Sequence, residues 1–405
     1  MLTLLRMAWR NIGRNPRRTA ILLTTVSVGI MGTLLSMAVL WGMMTGMIDT
    51  AIQTDLGHLQ IHAEGYESDP EISLLLPDGG QSILRVLDAH PSVVAYAPRI
   101  RSEALVSSPT TSLGLRLLGV DPLREPSVSS LKKWITEGQF LSGQAREAVI
   151  GRRLADRLNV EVGDKMVLSA QDTQGDMTSQ SVRIRGLFES SSADFDKGSI
   201  FINLDQAARM LGTGSEISEI VIVTRDRDEV TDLQTHLASS LNEVEVQRWT
   251  DLQPFIAFLI ESSGTAASSL YLVIFVAMAF GIANVMMMSI FDRIREIGVM
   301  LALGMSRARL LTLVILEGIM VTTLGTVIGL GLAAAIVFSL SGGIDFSLYA
   351  EGLNDMGAGA RIVPRLNPID FVQPILISIF TALIASIWPA LRAIRLQPAE
   401  ATRHT

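Results

Sequence analysis

The chain contains no cysteine, which excludes disulfide bonds and a structural zinc site built from thiolates. It also lacks the pattern GxxxxGK[ST], in which backbone N–H groups and a lysine hold nucleotide phosphates. The HExxH, GxSxG and paired-carboxylate signatures are absent too, which argues against an enzyme with its own active site. His58 and His62 are four positions apart, but they lie in a strand-like alternation without a third ligand nearby. We therefore expect no bound metal or cofactor.

Charged residues are also few, at 18% of the chain, whereas hydrophobic residues make up 48% of its 405 positions. The hydrophobic residues are concentrated in blocks, each long enough for the roughly 20 residues that cross a bilayer. The sequence therefore predicts an integral membrane α-helical protein with four transmembrane helices and a large soluble insertion. The predicted transmembrane helices are 20–48, 266–291, 310–340 and 371–391.

Residues 1–19 carry five arginines and no acidic residue. Apolar side chains supply the other side of the segment, so we expect an amphipathic helix lying on the membrane surface. A signal-peptide n-region is the alternative. The apolar run 20–48 is longer than the about 7–15 residues of a signal h-region, which favours an uncleaved anchor.

Residues 49–263 differ in kind, with 19 Lys/Arg against 32 Asp/Glu, a local net charge of 19 − 32 = −13. Short strands alternate with single helices, which predicts an α+β domain with an inserted subdomain at about 123–213. The positive-inside rule puts residues 1–19, the segment 292–309 and the tail 392–405 in the cytoplasm. The acidic domain and the loop 341–370 are then extracytoplasmic, and we expect no nucleic-acid partner.

The segment 292–309 is a short charged stretch between two apolar runs. Its apolar residues recur at helical spacing, charges fill its first turn, and a glycine provides a C-terminal stop. We expect a helix, a tight turn and a second helix, with the apolar face of the first helix docking on a partner. The docking residues predicted here are Arg293, Ile294, Glu296, Ile297, Gly298, Leu301 and Gly304.

Glu317 lies inside the third apolar run. An intramembrane carboxylate is a functional candidate by default. The alternative is a structural ion pair with an arginine of the segment 292–309. A proton relay is the weaker possibility, because no second buried acid or histidine accompanies Glu317.

The first apolar run contains glycines at small-xxx-small spacing and several methionines. Glycine allows close helix packing, and flexible thioethers suit a surface that repacks around varied apolar ligands. Ordinary core packing is the alternative for the methionines. The residues predicted to line a substrate path or dimer interface are Gly29, Met37, Gly42, Met43 and Gly46.

Several motifs together resemble the MacB/FtsX-like permease family of ABC transporters, with a layout similar to its LolC/LolE-like lipoprotein-release branch. The sequence RIREIGVMLALGMSRARLLTLVILEG (Arg293–Gly318) is similar to the charged loop between the family's second and third spans. PALRAIRLQPAEATR (Pro389–Arg403) resembles its C-terminal signature. The stretches Arg146–Leu168 and Arg185–Gly212 resemble its extracytoplasmic core domain.

The resemblance implies a porter-plus-sabre type of outer domain and a dimer of permeases, the second being identical or paralogous. It also implies two copies of a separate ABC ATPase, which would bind ATP and magnesium. The segment 292–309 would then be the helix that couples ATPase movement to the membrane helices in the bacterial inner membrane.

The leading hypothesis is extraction of a lipoprotein or similar amphiphile from the membrane, with a periplasmic carrier or adaptor as a further partner. One alternative is efflux of a peptide, lipid or toxin. Another is mechanical control of a cell-wall hydrolase, as in FtsX-type members.

Overall fold

The computed structural model describes residues 2–14, 16–66, 72–109, 111–227, 229–241 and 243–394. The predicted tail 392–405 and its signature motif therefore lie largely outside the described residues. The α-helices in chain order are α1 (Leu2–Arg14), α2 (Pro16–Ala51), α3 (Gln81–Ala89), α4 (Glu125–Val128), α5 (Arg152–Leu158), α6 (Ala193–Gly198), α7 (Leu204–Leu211), α8 (Val230–Ser240), α9 (Trp249–Leu252), α10 (Pro254–Asp292), α11 (Ile294–Ala302), α12 (Arg307–Ser339), α13 (Ala350–Asp355) and α14 (Ile369–Ile394).

The strands belong mainly to the long acidic segment that follows α2. They are β1 (Leu59–Ala63), β2 (Val93–Ser107), β3 (Ser112–Val120), β4 (Ile135–Gly138), β5 (Glu147–Gly151), β6 (Lys165–Gln171), β7 (Met177–Phe188), β8 (Ser199–Asn203), β9 (Glu219–Thr224), β10 (Val244–Arg248), β11 (Ile344–Asp345) and β12 (Arg361–Ile362).

The chain folds into two compact units. The bundle unit comprises Met1–Met43, Glu261–Ile344 and Val363–Thr405, and the sheet unit comprises Met44–Ile260 and Asp345–Ile362. Four of the described helices, α2, α10, α12 and α14, are long and apolar enough to cross a membrane. Together with the α+β sheet unit, they confirm the predicted fold class.

The bundle unit exposes many large apolar side chains. Along α10, a single stripe at three- and four-residue spacing is buried, including Phe275 and Ile282, whereas Val273 and Phe280 are 67% and 71% exposed. A helix in water would cover such a surface with polar side chains, but a helix in lipid does not need to. This surface is therefore suited to a membrane.

The α2 and α12 helices approach closely at two glycines of α12. A Cβ atom on Gly325 would lie 2.9 Å from Cβ of Val26, and one on Gly329 would lie 2.7 Å from the Ser27 carbonyl oxygen. The Ser27 hydroxyl also donates to the Gly325 carbonyl at 2.9 Å. Gly325 and Gly329 form a GxxxG motif, the pattern that permits close contact between membrane helices.

The sheet unit is organised around one ten-stranded sheet, in the order β10-β1-β9-β2-β3-β8-β5-β7-β4, with β6 pairing β2 and β7. The pairs β3–β8 and β5–β7 are parallel, and the other described pairs are antiparallel. The segment 123–213 supplies β4 to β8, after which β9 returns to pair with β1 and β2. Helices α5 and α7 cover the apolar core.

The structure moves two predicted boundaries. The first long helix begins at Pro16 and continues to Ala51, beyond both ends of the predicted run 20–48. Residues 52–56 then form a π-helical turn that ends at Gly57 with a positive φ of 61°, and the first strand starts at Leu59.

Candidate functional site

The segment between α10 and α12 folds as a short helix followed by a tight turn. The N–H of Gly304 bonds to the Leu301 carbonyl at 3.1 Å, and the N–H of Met305 bonds to the Met300 carbonyl at 3.0 Å. Gly304 has a φ of +91°, so this is the Schellman arrangement that glycine favours. The Ser306 hydroxyl then accepts from the Arg309 N–H at 3.4 Å and caps α12.

The apolar face of α11 points into the bundle unit. Ile297 is 4% exposed and packs in the bundle core, and Gly298 is also buried. Leu301 and Ile294 are half-buried. Ile297 and Gly298, which the sequence predicts to dock on a partner, therefore pack against the chain's own helices in this structure.

The opposite side of α11 and the following turn remain exposed. Val299 is 47% exposed, Leu303 is 84% exposed, and the exposed Arg295 lies one turn before Val299 on the same side. Arg307 and Arg309 are exposed at the start of α12. We call Arg295, Val299, Leu303, Arg307 and Arg309 the basic face. Each of its side chains is either apolar or positively charged.

The acidic residues near α11 are held by arginines of the N-terminal helices. Glu296 accepts two hydrogen bonds from the Arg14 guanidinium, at 2.6 and 3.0 Å. Asp292 pairs with Arg18, which also donates to the Met288 carbonyl at 3.3 Å. The sequence did not reveal these pairs, although five arginines without a local acid were a signal that some partners lie elsewhere in the chain.

Glu317 pairs with the residue that precedes α11. The Arg293 guanidinium lies 3.3 and 3.4 Å from its two carboxylate oxygens, and the Asn11 amide lies 3.5 Å from one of them. Both charged side chains are largely buried, at 14% and 18% exposure. This matches the structural alternative, an ion pair with an arginine of the segment 292–309. It also joins α1, α11 and α12 at one point.

The predicted substrate-path residues of α2 do not share one open surface. A Cβ atom on Gly29 would lie 3.1 Å from the Met278 sulfur of α10, and Met37 is 3% exposed in the bundle core. Gly42 is buried and Met43 is half-buried. Within the sheet unit, a Cβ atom on Gly46 would lie 3.2 Å from the Ala358 carbonyl oxygen. Gly29 and Met37, which the sequence predicts to line a substrate path or dimer interface, therefore pack inside the chain.

The sheet unit contains a buried charge cluster. The guanidinium of Arg99, which is 1% exposed, donates to both carboxylate oxygens of Glu125 at 2.7 and 3.0 Å and to the Asp55 carbonyl at 2.7 Å. Arg101 and Arg116 lie 2.7 and 3.2 Å from a carboxylate oxygen of Asp55. These pairs satisfy one another, so the cluster fixes the end of the first helical segment on the sheet.

The two histidines of this region have separate partners. His58 Nδ1 lies 3.0 Å from the Thr224 N–H, whereas His62 Nε2 lies 3.0 Å from the Gln60 side-chain oxygen. Burial lowers the pKa of the His62 imidazole, which stacks on Tyr66. The two rings therefore have structural contacts of their own and are not directed at one shared ligand.

Two family descriptions match this chain. Residues 19–239 match the MacB-like periplasmic core domain, and residues 268–398 match the FtsX-like permease C-terminal region. The first match alone covers more than half of the chain.

Curated relatives match over most of the sequence. The lipoprotein-releasing system transmembrane protein LolC of Xylella fastidiosa (strain Temecula1) is 23% identical over 395 residues, covering 94% of this chain and 92% of the relative. LolE of Haemophilus influenzae is 22% identical over 332 residues, covering 79% and 80%. The periplasmic region of MacB from Actinobacillus actinomycetemcomitans is a solved structure with 14% identity and a TM-score of 0.35, covering 51% of this chain and 94% of that one. The chain belongs to the MacB/FtsX-like family of ABC transporter permeases.

Proposed function

We propose that this chain is the permease subunit of an inner-membrane ABC transporter whose ATPase is a separate polypeptide. The observation that carries the proposal is the exposed basic face on a segment whose acids are already paired within the chain. The sequence has no P-loop, so nucleotide would bind on the partner. Two ATPase copies and a second permease, identical or paralogous, would complete the complex.

The basic face is the part of the chain that best fits an ATPase. Leu303 projects from the turn as an apolar anchor, and the arginines around it complement an acidic surface. Closure of the ATPase dimer would move α11, and the short Gly304 turn would carry that movement into α12. This assignment places the termini and the basic face in the cytoplasm and the sheet unit in the periplasm.

The chemistry proposed for the transported molecule is that of a lipoprotein or similar amphiphile. Two relatives that match most of this chain carry names of lipoprotein-releasing systems. The transporter would extract its client from the inner membrane and pass it to a periplasmic carrier. In liposomes containing the purified permease–ATPase complex, ATP and a carrier should release a lipidated client. ATP hydrolysis without release of any such client would contradict this substrate class.

A second candidate is efflux of a peptide, lipid or toxin through a periplasmic adaptor. A macrolide export ATP-binding/permease protein MacB of Neisseria meningitidis is 28% identical over a 118-residue alignment that covers 25% of this chain. A deletion strain with increased drug susceptibility and normal lipoprotein sorting would favour efflux.

The docking assignment has its own test, because the chain has no cysteine to remove. Single cysteines at Val299 and Leu303 should crosslink to the ATPase, whereas a cysteine at Val162, 39% exposed in the sheet unit, should not. Leu303→Asp should weaken ATPase binding roughly tenfold or more, as for an apolar anchor that fills a pocket. Leu348→Asp, at a side chain 95% exposed in the sheet unit, is the control. Equal ATPase binding by the two variants would refute the assignment.

A further inference from the structure

The N-terminal helix α1 is connected to the start of α2 and to the segment that holds α11. At its own junction with α2, the Thr19 hydroxyl donates to the Ile12 carbonyl at 2.7 Å. Ala8 and Ile12 are buried, and α1 packs against α12. The helix is therefore part of the bundle and is more than a surface anchor.

Two ion pairs connect this region to the helix that carries the basic face. Arg14 at the end of α1 binds Glu296 of α11 through both terminal nitrogens, at 2.6 and 3.0 Å. Arg18 in the first turn of α2 binds Asp292 at the end of α10. We call Arg14, Arg18, Asp292 and Glu296 the N-terminal clamp.

The geometry of the clamp separates it from ordinary surface pairing. The two-nitrogen contact of Arg14 with one carboxylate fixes direction as well as distance. A third polar contact, from Asn11 to Glu317 at 3.5 Å, lies behind it. Arg14 and Glu296 are 58% and 40% exposed, so the pair adds little to the stability of the fold. Its consequence is positional, since it holds the end of α1 against α11.

We propose that the N-terminal clamp transmits movement of α11 to the first membrane helix. Covalently, α11 leads only into α10 and α12, so movement driven at the basic face reaches α2 through side chains. The clamp supplies that connection at two points, the end of α1 and the first turn of α2. The four residues of the clamp are positioning residues, because they act by holding α1 and α2 in place. This inference rests on the proposed function, because it takes the ATPase as the source of the movement.

The test follows the response of α2 to ATP in the purified permease–ATPase complex. A fluorophore on Gly32→Cys reports on α2, because Gly32 is exposed and a Cβ atom there meets nothing within 4 Å. Arg14→Glu should reduce the ATP-dependent fluorescence change on α2 about five-fold, a factor that corresponds to the free energy of one exposed ion pair. The ATPase should still bind and hydrolyse ATP. The exchange Arg14→Glu with Glu296→Arg should restore the signal. Glu296→Gln, which removes the charge without reversing it, should reduce it as Arg14→Glu does.

Arg17→Glu is the matched control, since Arg17 is exposed one turn away and makes no ion pair with the residues that the structure describes. Equal loss of signal with Arg17→Glu would overturn the inference in favour of a general attraction of the arginines to anionic lipid. An unchanged signal with Arg14→Glu, or no rescue by the exchange, would also overturn it. These results leave the proposed function intact if the ATPase co-purifies. Absence of ATPase from the wild-type complex would instead refute the proposed function.

Discussion

Replacing Arg99 by methionine tests how much the buried charge cluster contributes to the sheet unit. Methionine replaces the apolar stem of arginine and ends where the guanidinium begins, so the change removes the charge and the hydrogen bonds while it keeps the apolar packing. It leaves Glu125, which is 0% exposed, without the guanidinium that binds both of its carboxylate oxygens. It also removes the donor to the Asp55 carbonyl, although Arg101 and Arg116 still face the Asp55 side chain.

The expected cost follows from the burial of the pair. Removing one partner of a buried ion pair destabilises a protein by about 3–5 kcal/mol, because an uncompensated charge stays in a region of low dielectric constant. Since Arg99 is 1% exposed, solvent cannot screen the charge that remains. The double variant Arg99→Met with Glu125→Met should recover much of the loss, because it leaves no unpaired charge at that position.

Hydrogen exchange of the full-length protein is the suitable assay, because it reports the opening of β2 separately from the membrane helices. Amides of β2 should exchange roughly 10²–10⁴-fold faster in Arg99→Met. Arg152→Met is the control, since its ion pair with Glu137 lies at the surface, at 39% and 49% exposure. If the β2 amides exchange at the same rate in both variants, the buried cluster does not stabilise the sheet.

Two further predictions concern packing and pH. Gly329→Leu should lower the free energy of unfolding of the detergent-solubilised chain by about 1–3 kcal/mol, because the new side chain would meet the Ser27 carbonyl. Gly331→Leu is the control and should leave it unchanged, since a Cβ atom at Gly331 meets nothing within 4 Å. Burial raises the pKa of Asp196 from 3.8 to about 6, so the folded state holds a proton that the unfolded state has lost between these values. The free energy of unfolding should therefore fall by up to about 3 kcal/mol as pH rises from 4 to about 6, and it should stay level above that pH. Asp196→Asn should remove this pH dependence, whereas Asp194→Asn, at an exposed position, should keep it. A thermal midpoint that rises over this pH range would contradict the sign.

The sequence predicted the elements whose signals are local. Long apolar runs identified the membrane helices, and helical spacing with a terminal glycine identified α11 and its turn at Gly304. Periodicity shows which residues share a helix face but not what that face meets. The face of Ile297 was therefore assigned to a partner, whereas α11 turns it towards the chain's own core.

The charges at the candidate site illustrate the same limit. Arg14 and Glu296 are 282 positions apart, so no local pattern pairs them. Glu317 was predicted to have an arginine partner as one alternative, but the sequence could not select Arg293. By contrast, the GxxxG motif at Gly325 and Gly329 was present in the sequence and marks the close approach that the structure shows at α2.

The long strand β2 has a practical consequence for building chimeric transporters. It pairs with β9 through its first half and with β6 through its last residues, and β3 accompanies it from Arg99 to Ser107. A graft of residues 123–213 from a relative must therefore reproduce two edges at once, the parallel β3–β8 ladder and the β2–β6 ladder. A graft that matches only one edge leaves unpaired backbone groups along the other. Exchange of the whole segment from β1 to β10 keeps both ladders within one parent and is the safer unit of recombination.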